Sequence, residues 1–308
     1  MAKIHVLHEN AAWLAPLREA FATYGLPYDE WFLDRGIVRL DEAPPEGVFY
    51  NRMSASSYTR DHVHAPELTA AVLGWLEAHG RRVVNDSRAL ALEVSKPRQY
   101  AALAAQGIRT PRSVVAIGGA ALVEAARDFA GGPAILKPGR GGKGHGVRLF
   151  DSAEALVEHV RSDAYEPPVD GVSLVQQYIR APEPFITRAE FVGGRFLYAV
   201  RVDTSDGFEL CPADVCGLEG APPKFAIVDD IDPALKAAYE RFLAANGIEV
   251  AGIEFIVDAA GQAHTYDVNT NTNYNAEAEA RAGRSGMRAL ARFLGDELAR
   301  VEALRAAG

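Results

Sequence analysis

Strand-like and helix-like patterns alternate along the N-terminal part of the chain. Short runs of apolar and alternating residues predict strands at Lys3–Leu7, Tyr28–Leu33, Gly47–Asn51 and Arg82–Val84. Apolar residues recur with helical spacing between these runs, over Ala11–Tyr24 and Pro66–Ala78. Strands that alternate with helices favour a small open parallel sheet, so this part of the chain is predicted to be an α/β unit.

The middle of the chain is predicted to carry helices and strands around a glycine-rich segment. A helix over Lys96–Ala105 ends at Gly107. The following pattern predicts strands and helices in the order Ser113–Ile117 (strand), Ala120–Phe129 (helix), Ala134–Lys137 (strand), Val147–Phe150 (strand) and Ala153–Val160 (helix). The glycine-rich segment Gly139–Gly146 therefore joins two strands.

The last third of the chain is predicted to pair its strands as hairpins. A strand at Ser173–Ile179 comes first, and a hairpin turning at Gly193-Gly194 follows it. A helix over Pro233–Ala245, a second hairpin and C-terminal helices complete the chain. Hairpins imply an antiparallel sheet, so the fold class is α/β at the front and α+β behind. We expect three units, at 1–92, 93–172 and 173–308.

Composition and charge narrow the class of protein. The chain has 308 residues, too many for one small core, and 48% of them are apolar. The formal net charge is −9, so the molecule as a whole repels nucleic acid, and no basic stripe overrides this. We therefore expect no nucleic-acid partner.

Cellular location is predicted from missing signals. The two cysteines, Cys211 and Cys216, are too few for a disulfide framework and fit a reducing compartment. The N-terminus runs straight into a strand pattern, and no apolar run approaches the ~20 residues that span a bilayer. The expectation is a cytoplasmic protein without a membrane partner. Its oligomeric state stays open, a homo-oligomer included.

The glycine-rich segment has the letters G-x-G-x-x-G from Gly139 to Gly144. A dinucleotide fingerprint needs a helix after the glycines, but a strand is predicted there, and a P-loop needs Ser or Thr after Lys143. A glycine flap between strands can still bring its backbone N–H groups close to phosphates. The alternative is a flexible surface loop. The phosphate-binding interpretation adds Lys137, which ends the preceding strand.

Two acids and an amide are predicted to share one face of the second hairpin. A four-residue loop, Ala259–Gln262, would put Glu254 directly opposite Asp267, with Asn269 two residues further on. Like charges that face each other destabilise a sheet unless something offsets them, and oxygen ligands of this kind suit Mg²⁺. The alternative is a solvated acidic hairpin, which a register error of one residue would produce.

The first hairpin is predicted to present two arginines together. A two-residue turn at Gly193-Gly194 places Arg188 and Arg201 on one face, with Glu190 beside them. The other face would carry the aromatic residues Phe191, Phe196 and Tyr198. Two arginines on a polar face can clamp a phosphate or a carboxylate, whereas the alternative is a surface face with an Arg–Glu pair.

These features together resemble the ATP-grasp superfamily, and the alpha-L-glutamate ligase-like branch most of all. The resemblance runs from Ser95-Lys96 to about Glu279. The motifs that carry it are, in order, Ser95-Lys96, Gly107-Ile108-Arg109-Thr110-Pro111, Ile135-Leu136-Lys137-Pro138, the glycine loop, Val175-Gln176-Gln177-Tyr178-Ile179, Gly252-Ile253-Glu254 and Asp267-Val268-Asn269. The segment before Lys96 would be the small α/β domain that usually precedes this fold.

The resemblance implies that ATP lies between two subdomains, with Mg²⁺, or Mn²⁺ as an alternative, at the phosphates. By resemblance, the ATP-binding residues are Lys96, Lys137, Gly141, Gly142, Lys143, Gly144, Gln177, Tyr178, Ile179 and Glu183. The implied metal ligands are Glu254, Asp267 and Asn269, and the implied catalytic residues are Arg188 and Arg201. Gln177 stands where the family often has an acid, and Glu183 substitutes for the ribose-binding acid.

Substrate contacts are predicted on two polar segments. Arg52 and Ser54 follow a front strand, in a position that resembles the substrate-contacting loops of the family, and Arg52 could bind a carboxylate. Asn271 and Asn273 follow the metal ligands and can hydrogen-bond amide or amino-acid groups. The alternatives are an exposed loop arginine and a turn that caps the next helix.

The predicted function is ATP-dependent ligation of a small-molecule or peptide carboxylate to an amine. An acyl phosphate would be the intermediate, with ADP and phosphate released, and the protein would contribute mostly positioning and charge. One rival is a regulatory module that binds ATP on the same fold without ligation. A second rival is a dehydrogenase that binds a dinucleotide through the G-x-G-x-x-G motif. It is disfavoured because a strand, and not a helix, is predicted after this motif.

Overall fold

The computed structural model describes residues 2–142, 144–205 and 224–307 of the chain, and all structural statements concern these residues. Lys143, Cys211 and Cys216 lie outside them, so the predictions made for these three residues have no structural counterpart. Every described helix is too short or too polar to cross a bilayer.

The front unit is built on a four-stranded parallel sheet with the spatial order β2-β1-β3-β4. Its strands are β1 (Lys3–His8), β2 (Tyr28–Phe32), β3 (Gly47–Asn51) and β4 (Arg82–Val84). Its helices are α1 (Ala15–Tyr24), α2 (Ala65–Ala78) and α3 (Ser87–Glu93), with 3₁₀ turns at Ala12–Leu14 and Ser57–Arg60. The sheet is covered on both faces, which is why β3 is buried along its whole length.

The middle unit begins with the helix α4 and contains an antiparallel sheet with the order β5-β8-β6-β7. Its elements are α4 (Lys96–Ala105), β5 (Ser113–Ile117), α5 (Gly119–Arg127), β6 (Ala134–Pro138), β7 (Arg148–Phe150), α6 (Ala153–Arg161) and β8 (Val172–Gln177). The strand expected to open the last unit is β8, and it pairs with β5 and β6 instead. The limit predicted at 172/173 is therefore wrong for this strand.

The C-terminal unit is an antiparallel sheet with the order β11-β10-β9-β12-β13. Its elements are β9 (Phe185–Val192), β10 (Arg195–Asp203), β11 (Phe225–Val228), α7 (Pro233–Ala245), β12 (Val250–Val257), β13 (Ala263–Asn269), α8 (Ala276–Ala282) and α9 (Gly286–Ala307). The glycines at the β9–β10 turn have φ of 63° and 70°, the left-handed conformation that a tight hairpin turn requires.

The last helix returns to the front of the molecule. Met287, Leu290 and Leu294 of α9 pack with Ile4 and Val6 of β1 in one buried core. The other face of the front sheet packs against α2 in a separate core. The helix α9 thus belongs structurally to the front sheet, although the expected limits assigned it to 173–308. The α/β and α+β classes themselves are confirmed.

Candidate active site

A cavity of about 690 Å³ lies between the glycine loop of the middle unit and the floor formed by β9, β12 and β13. This volume is within the range of small-molecule sites. Its walls contain most residues predicted to bind nucleotide, metal or substrate: Ser54, Lys96, Lys137, Gly141, Gly142, Gly144, Gln177, Tyr178, Ile179, Glu183, Arg188, Glu254, Asp267, Asn269, Asn271 and Asn273. Among the described site candidates, Arg52 and Arg201 are not in the wall.

The two acids of the β12–β13 hairpin face each other, as predicted, but the register arises differently. The connection runs from Asp258 to Gln262, one residue longer than expected, because Val257 pairs with Ala263. A bulge at Tyr266 then restores the predicted pairing of Glu254 with Asp267. The bulge is therefore what brings both carboxyl groups to the same face at the cavity floor.

A cation accompanies each acid. Lys96 is the first residue of α4, and its Nζ donates to Asp267 Oδ1 at 2.6 Å. Arg188 Nη1 donates to Glu254 Oε1 at 3.0 Å. Burial would lower the pKa of Lys96, but the Asp267 charge outweighs it and raises that pKa above its usual value. Lys96 is therefore charged, and Asp267 is its counterion.

The two carboxyl groups differ in their affinity for a proton. Burial raises the pKa of Glu254 to about 7, although Arg188 opposes the rise. Burial acts the same way on Asp267, but the charges of Lys96 and Lys137 outweigh it and hold the pKa of Asp267 below its usual value. One acid of the pair thus stays ionised, while the other titrates near neutral pH.

Lys137 is a second lysine in the cavity wall, and its hydrogen-bond partners differ from those of Lys96. Its Nζ donates to Tyr100 Oη at 2.5 Å and to the carbonyl oxygen of Tyr266 at 3.2 Å. Burial, followed by the charge of Lys96, lowers the pKa of Lys137 to about 7. A nearby anion would favour the charged form of this amine, which suits a phosphate-binding role.

Arg188 is held in place by three partners. It donates to Glu190 Oε1 at 2.7 Å, to Thr272 Oγ1 at 2.7 Å and to Glu254. Its guanidinium lies against Gly252, where an added Cβ would come within 2.4 Å of Nε. Gly252, two residues before Glu254, therefore leaves the space that Arg188 occupies.

Arg201 does not join this group, so its predicted position is wrong. A register shift between Phe196 and Tyr198 pairs Arg188 with Val200 and turns Arg201 to the opposite face. There Arg201 is exposed and lies over the ring of Phe185 at 4.7 Å. The same shift puts Tyr198 on the face of Arg188, so its predicted place on the aromatic face is also wrong.

The glycine loop joins β6 to β7, as predicted, and contacts the front unit. A Cβ at Gly142 would lie 3.4 Å from Cβ of Ser56, and Arg140 Nη2 donates to Glu67 Oε1 at 2.8 Å. The carbonyl oxygen of Gly139 accepts from the backbone N–H of Lys96 at 2.9 Å. The loop is thus fixed at its beginning to the helix that carries the first lysine.

The residues predicted to hold adenine and ribose follow β8. Gln177 is tied to Arg112, whose carbonyl accepts its N–H at 2.8 Å. Ile179 is buried and Tyr178 half-buried, whereas Glu183 is exposed at the rim of the cavity. These residues line the same cavity as Asn271 and Asn273.

Arg52 joins the two polar segments predicted to contact substrate. Its Nε donates to Asn271 Oδ1 at 3.1 Å, and its Nη2 donates to Asn273 Oδ1 at 2.8 Å and to the carbonyl of Thr272 at 3.2 Å. Arg52 is only 2% exposed, so the interpretation as an exposed loop arginine is wrong.

Sequence patterns missed Glu93, which ties the front unit to the site. Its carboxylate accepts from the backbone N–H of Ala55 at 3.1 Å and from that of Thr270 at 2.7 Å. Tyr100 and Gln176 were also missed as partners around Lys137. Glu93 lies at the end of α3, which the apolar pattern did not predict, so no sequence signal marked it.

Comparisons with known proteins identify the architecture. No protein-family model matches the sequence, and no curated protein sequence matches it. A RimK domain protein ATP-grasp from Sphaerobacter thermophilus is similar in structure, with 20% identity, a TM-score of 0.65, and coverage of 95% of this chain and 99% of that one. The D-cycloserine synthetase DcsG has 19% identity and a TM-score of 0.68, with coverage of 96% and 99%.

A third similar structure is the macrocyclase MdnC from Microcystis aeruginosa, bound with its precursor peptide MdnA. It has 12% identity and a TM-score of 0.64, with coverage of 96% of this chain and 100% of that one. Structures of the ATP-grasp ligase PsnB, one of them with a precursor, Mg and ADP, are also similar. Likeness at these identities establishes the fold.

Proposed function

Because this chain has the ATP-grasp fold, we propose that it is an ATP- and magnesium-dependent ligase that joins a carboxylate to an amine. The observation that carries the proposal is the facing pair Glu254 and Asp267 on the cavity floor, each with its own cation. Two acids held together beside lysines and an arginine suit a nucleotide phosphate chain and its metal ion.

The side chains at the site supply too few ligands for Mg²⁺ by themselves, so phosphate oxygens of the nucleotide would complete its coordination. No group of three or more His, Cys, Asp or Glu side chains within the described ranges could hold a metal ion. Glu254, Asp267 and the amide of Asn269 supply three oxygen-bearing side chains, and Mg²⁺ commonly combines one or two carboxylates with substrate phosphates and water. When bound, Mg²⁺ would neutralise charge on the transferring phosphoryl group. Mn²⁺ is an alternative occupant.

In the proposed reaction, an oxygen of the substrate carboxylate attacks the γ-phosphorus of ATP. The bond between that phosphorus and its bridging oxygen breaks, which gives an acyl phosphate and ADP. The amine then attacks the acyl carbon, phosphate leaves, and the amine loses a proton. Lys96 and Lys137 would hold the phosphates, and Arg188 would stabilise the negative charge that develops at the reacting centre.

Other parts of the cavity are assigned by position. Gly141, Gly142 and Gly144 would cover the phosphates, and the segment Gln177–Ile179 would hold adenine. Glu183 at the rim is the proposed ribose contact. The similar ligases include complexes with precursor peptides and a D-cycloserine synthetase, so the proposed substrates include peptides and small amino-acid derivatives.

Trapping with hydroxylamine tests the proposal without knowledge of the amine. The protein is incubated with ATP, Mg²⁺, hydroxylamine and a panel of carboxylates, and ADP and hydroxamate are measured. We expect both products to appear together with at least one carboxylate, because hydroxylamine captures an acyl phosphate. ATP binding without carboxylate-dependent ADP release across the panel would favour a regulatory ATP-binding module and overturn the ligase proposal.

A further inference from the structure

Four side chains at one edge of the front sheet carry buried polar atoms that lack a hydrogen-bond partner. These atoms are both ring nitrogens of His8, Oη of Tyr50, Nη1 of Arg52 and Oη of Tyr274. Partners are absent among all residues that the structure describes. Buried polar groups are normally paired, so several unpaired groups in one place indicate a missing binding partner.

Pairing in the front sheet brings the first three together. Leu7 of β1 pairs with Asn51 of β3, so the next residues, His8 and Arg52, are neighbours at the carboxyl edge of the sheet. Tyr50 precedes Arg52 by two residues and therefore points to the same face. Ligands of open α/β sheets commonly bind at this edge.

The fourth side chain arrives from the loop after β13. Arg52 bonds to Asn273, the residue directly before Tyr274. Tyr274 is partly buried and packs against the core that contains Tyr50. Burial is the main cause of the pKa shifts of Tyr50, Tyr274 and His8. The charge of Arg52 is a further cause in all three, and the charge of Glu190 also raises the pKa values of both tyrosines, which agrees with this grouping.

The charge of Arg52 is not balanced by a bonded carboxylate. The side chain is 2% exposed, and its partners are two side-chain amides and one backbone carbonyl. It forms no ion pair with any carboxylate of the described residues. The carboxylate nearest to His8, that of Glu30 at 3.6 Å, is already bound by Arg18. A buried charge that bonds to no carboxylate is costly, so an anion is the expected occupant.

Hydrogen bonds connect this cluster to the proposed reaction centre. The carbonyl of Thr272 accepts from Arg52, and the hydroxyl of the same residue accepts from Arg188. Arg188 in turn bonds to Glu254. Two residues, Thr272 and Arg188, thus connect Arg52 to the acid Glu254.

We infer that Tyr50, Arg52 and Tyr274, with His8 beside them, bind the free carboxylate of a small amino-acid substrate. This inference rests on the proposed ligase function, since it assigns one substrate of that reaction. The guanidinium, the two hydroxyls and the imidazole can all donate to the oxygens of a carboxylate. The anchored carboxylate is not the one that is phosphorylated, because that group must face the metal acids.

Direct binding without nucleotide tests the site separately from ligation. Thermal shift and calorimetry are carried out with L- and D-amino acids, each beside its own α-carboxamide. We expect at least one acid to bind, and its amide to bind roughly 10- to 100-fold more weakly, because the charged hydrogen bonds to Arg52 are lost.

Two variants remove only unpartnered atoms. Tyr50→Phe and Tyr274→Phe should each weaken amino-acid binding roughly 2- to 10-fold. The melting temperature of the unliganded protein should not fall, because these hydroxyls bond to no described residue. Tyr28→Phe is the matched control, since Tyr28 packs against the same core and lies outside the proposed pocket. It should leave the binding unchanged.

Three results would overturn the inference: no amino acid binds, acid and amide bind equally, or both phenylalanine variants bind like the wild type. Each would mean that these four side chains do not select a carboxylate. Acid-selective binding in a protein that never forms ADP would instead uphold the carboxylate site and refute the ligase proposal.

Discussion

Replacing Gly252 with Ala tests whether the position of Arg188 sets the reaction rate. The new Cβ would lie 2.4 Å from Nε and 2.5 Å from Nη2 of Arg188. Non-bonded atoms of this kind need about 3.5 Å, so the guanidinium must move by about 1 Å. Gly252 is not among the described glycines with positive φ, so Ala introduces no backbone strain of its own.

The size of the effect follows from what holds Arg188. Its bonds to Glu190, Glu254 and Thr272 measure 2.7, 3.0 and 2.7 Å, and a displacement of that size breaks at least one of them. A hydrogen bond to a charged group contributes about 1.5–3 kcal/mol. We expect the free energy of unfolding to fall by about 2 kcal/mol, and kcat to fall ~10²-fold because a charge donor near the reacting centre is misplaced.

Denaturant unfolding and steady-state kinetics measure the two effects separately. The matched control is Gly74→Ala within α2, where a Cβ meets nothing within 4 Å. It should keep full activity and gain up to about 1 kcal/mol of stability, because Ala favours helix over Gly. Wild-type kcat in the Gly252 variant would refute the reasoning. Lost stability with unchanged kcat would leave Arg188 a structural residue only.

Three further predictions concern individual charges. Asp267→Ala and Glu254→Ala should each abolish Mg²⁺-dependent ADP release while circular dichroism stays native, and retained activity in either would contradict the metal assignment. Arg201→Met should leave kcat and ATP affinity unchanged in kinetic and calorimetric assays, because the side chain lies on the far face over Phe185. Lys137→Met should be more stable than the wild type below pH 7, where the buried amine must be charged. This advantage should shrink between pH 7 and about 10.5, because only the unfolded wild type still holds the proton there. A difference that is independent of pH in denaturant unfolding would show that the amine titrates normally.

Local patterns predicted the elements that carry the site. The helix that begins at Lys96, the strands that flank the glycine loop and both hairpins follow from apolar periodicity and from turn residues at Gly193-Gly194. Each of these signals lies within a few residues of the element that it specifies. Local sequence therefore predicted the elements that form the cavity walls, whereas the expected roles of the wall residues came from the resemblance to a known family.

β-Bulges could not be predicted from the sequence, because an alternating pattern of apolar and polar residues does not mark where an extra residue is inserted. The turn of the second hairpin is one residue longer than predicted, and the bulge at Tyr266 offsets this difference. The predicted pairing of Glu254 with Asp267 is therefore confirmed, although the register between the turn and this pair differs from the prediction. At Leu197 the register of the first hairpin shifts by one residue, and no second shift restores it. Arg201 therefore faces away from the site. Long-range contacts were equally invisible, such as the bond between Arg52 and Asn273, which lie 221 residues apart in sequence.

The charges of the site suit the nucleotide phosphates that the proposed function requires. Asp267 keeps Lys96 ionised when no ligand is bound, whereas burial leaves Lys137 titrating at about pH 7. An incoming phosphate chain would favour the charged form of Lys137 and offer Lys96 a second partner, which would free Asp267 for a metal ion. The internal ion pairs thus limit the cost of burying these groups in the unliganded protein, and the partly neutral Lys137 avoids a repulsion with the charged Lys96.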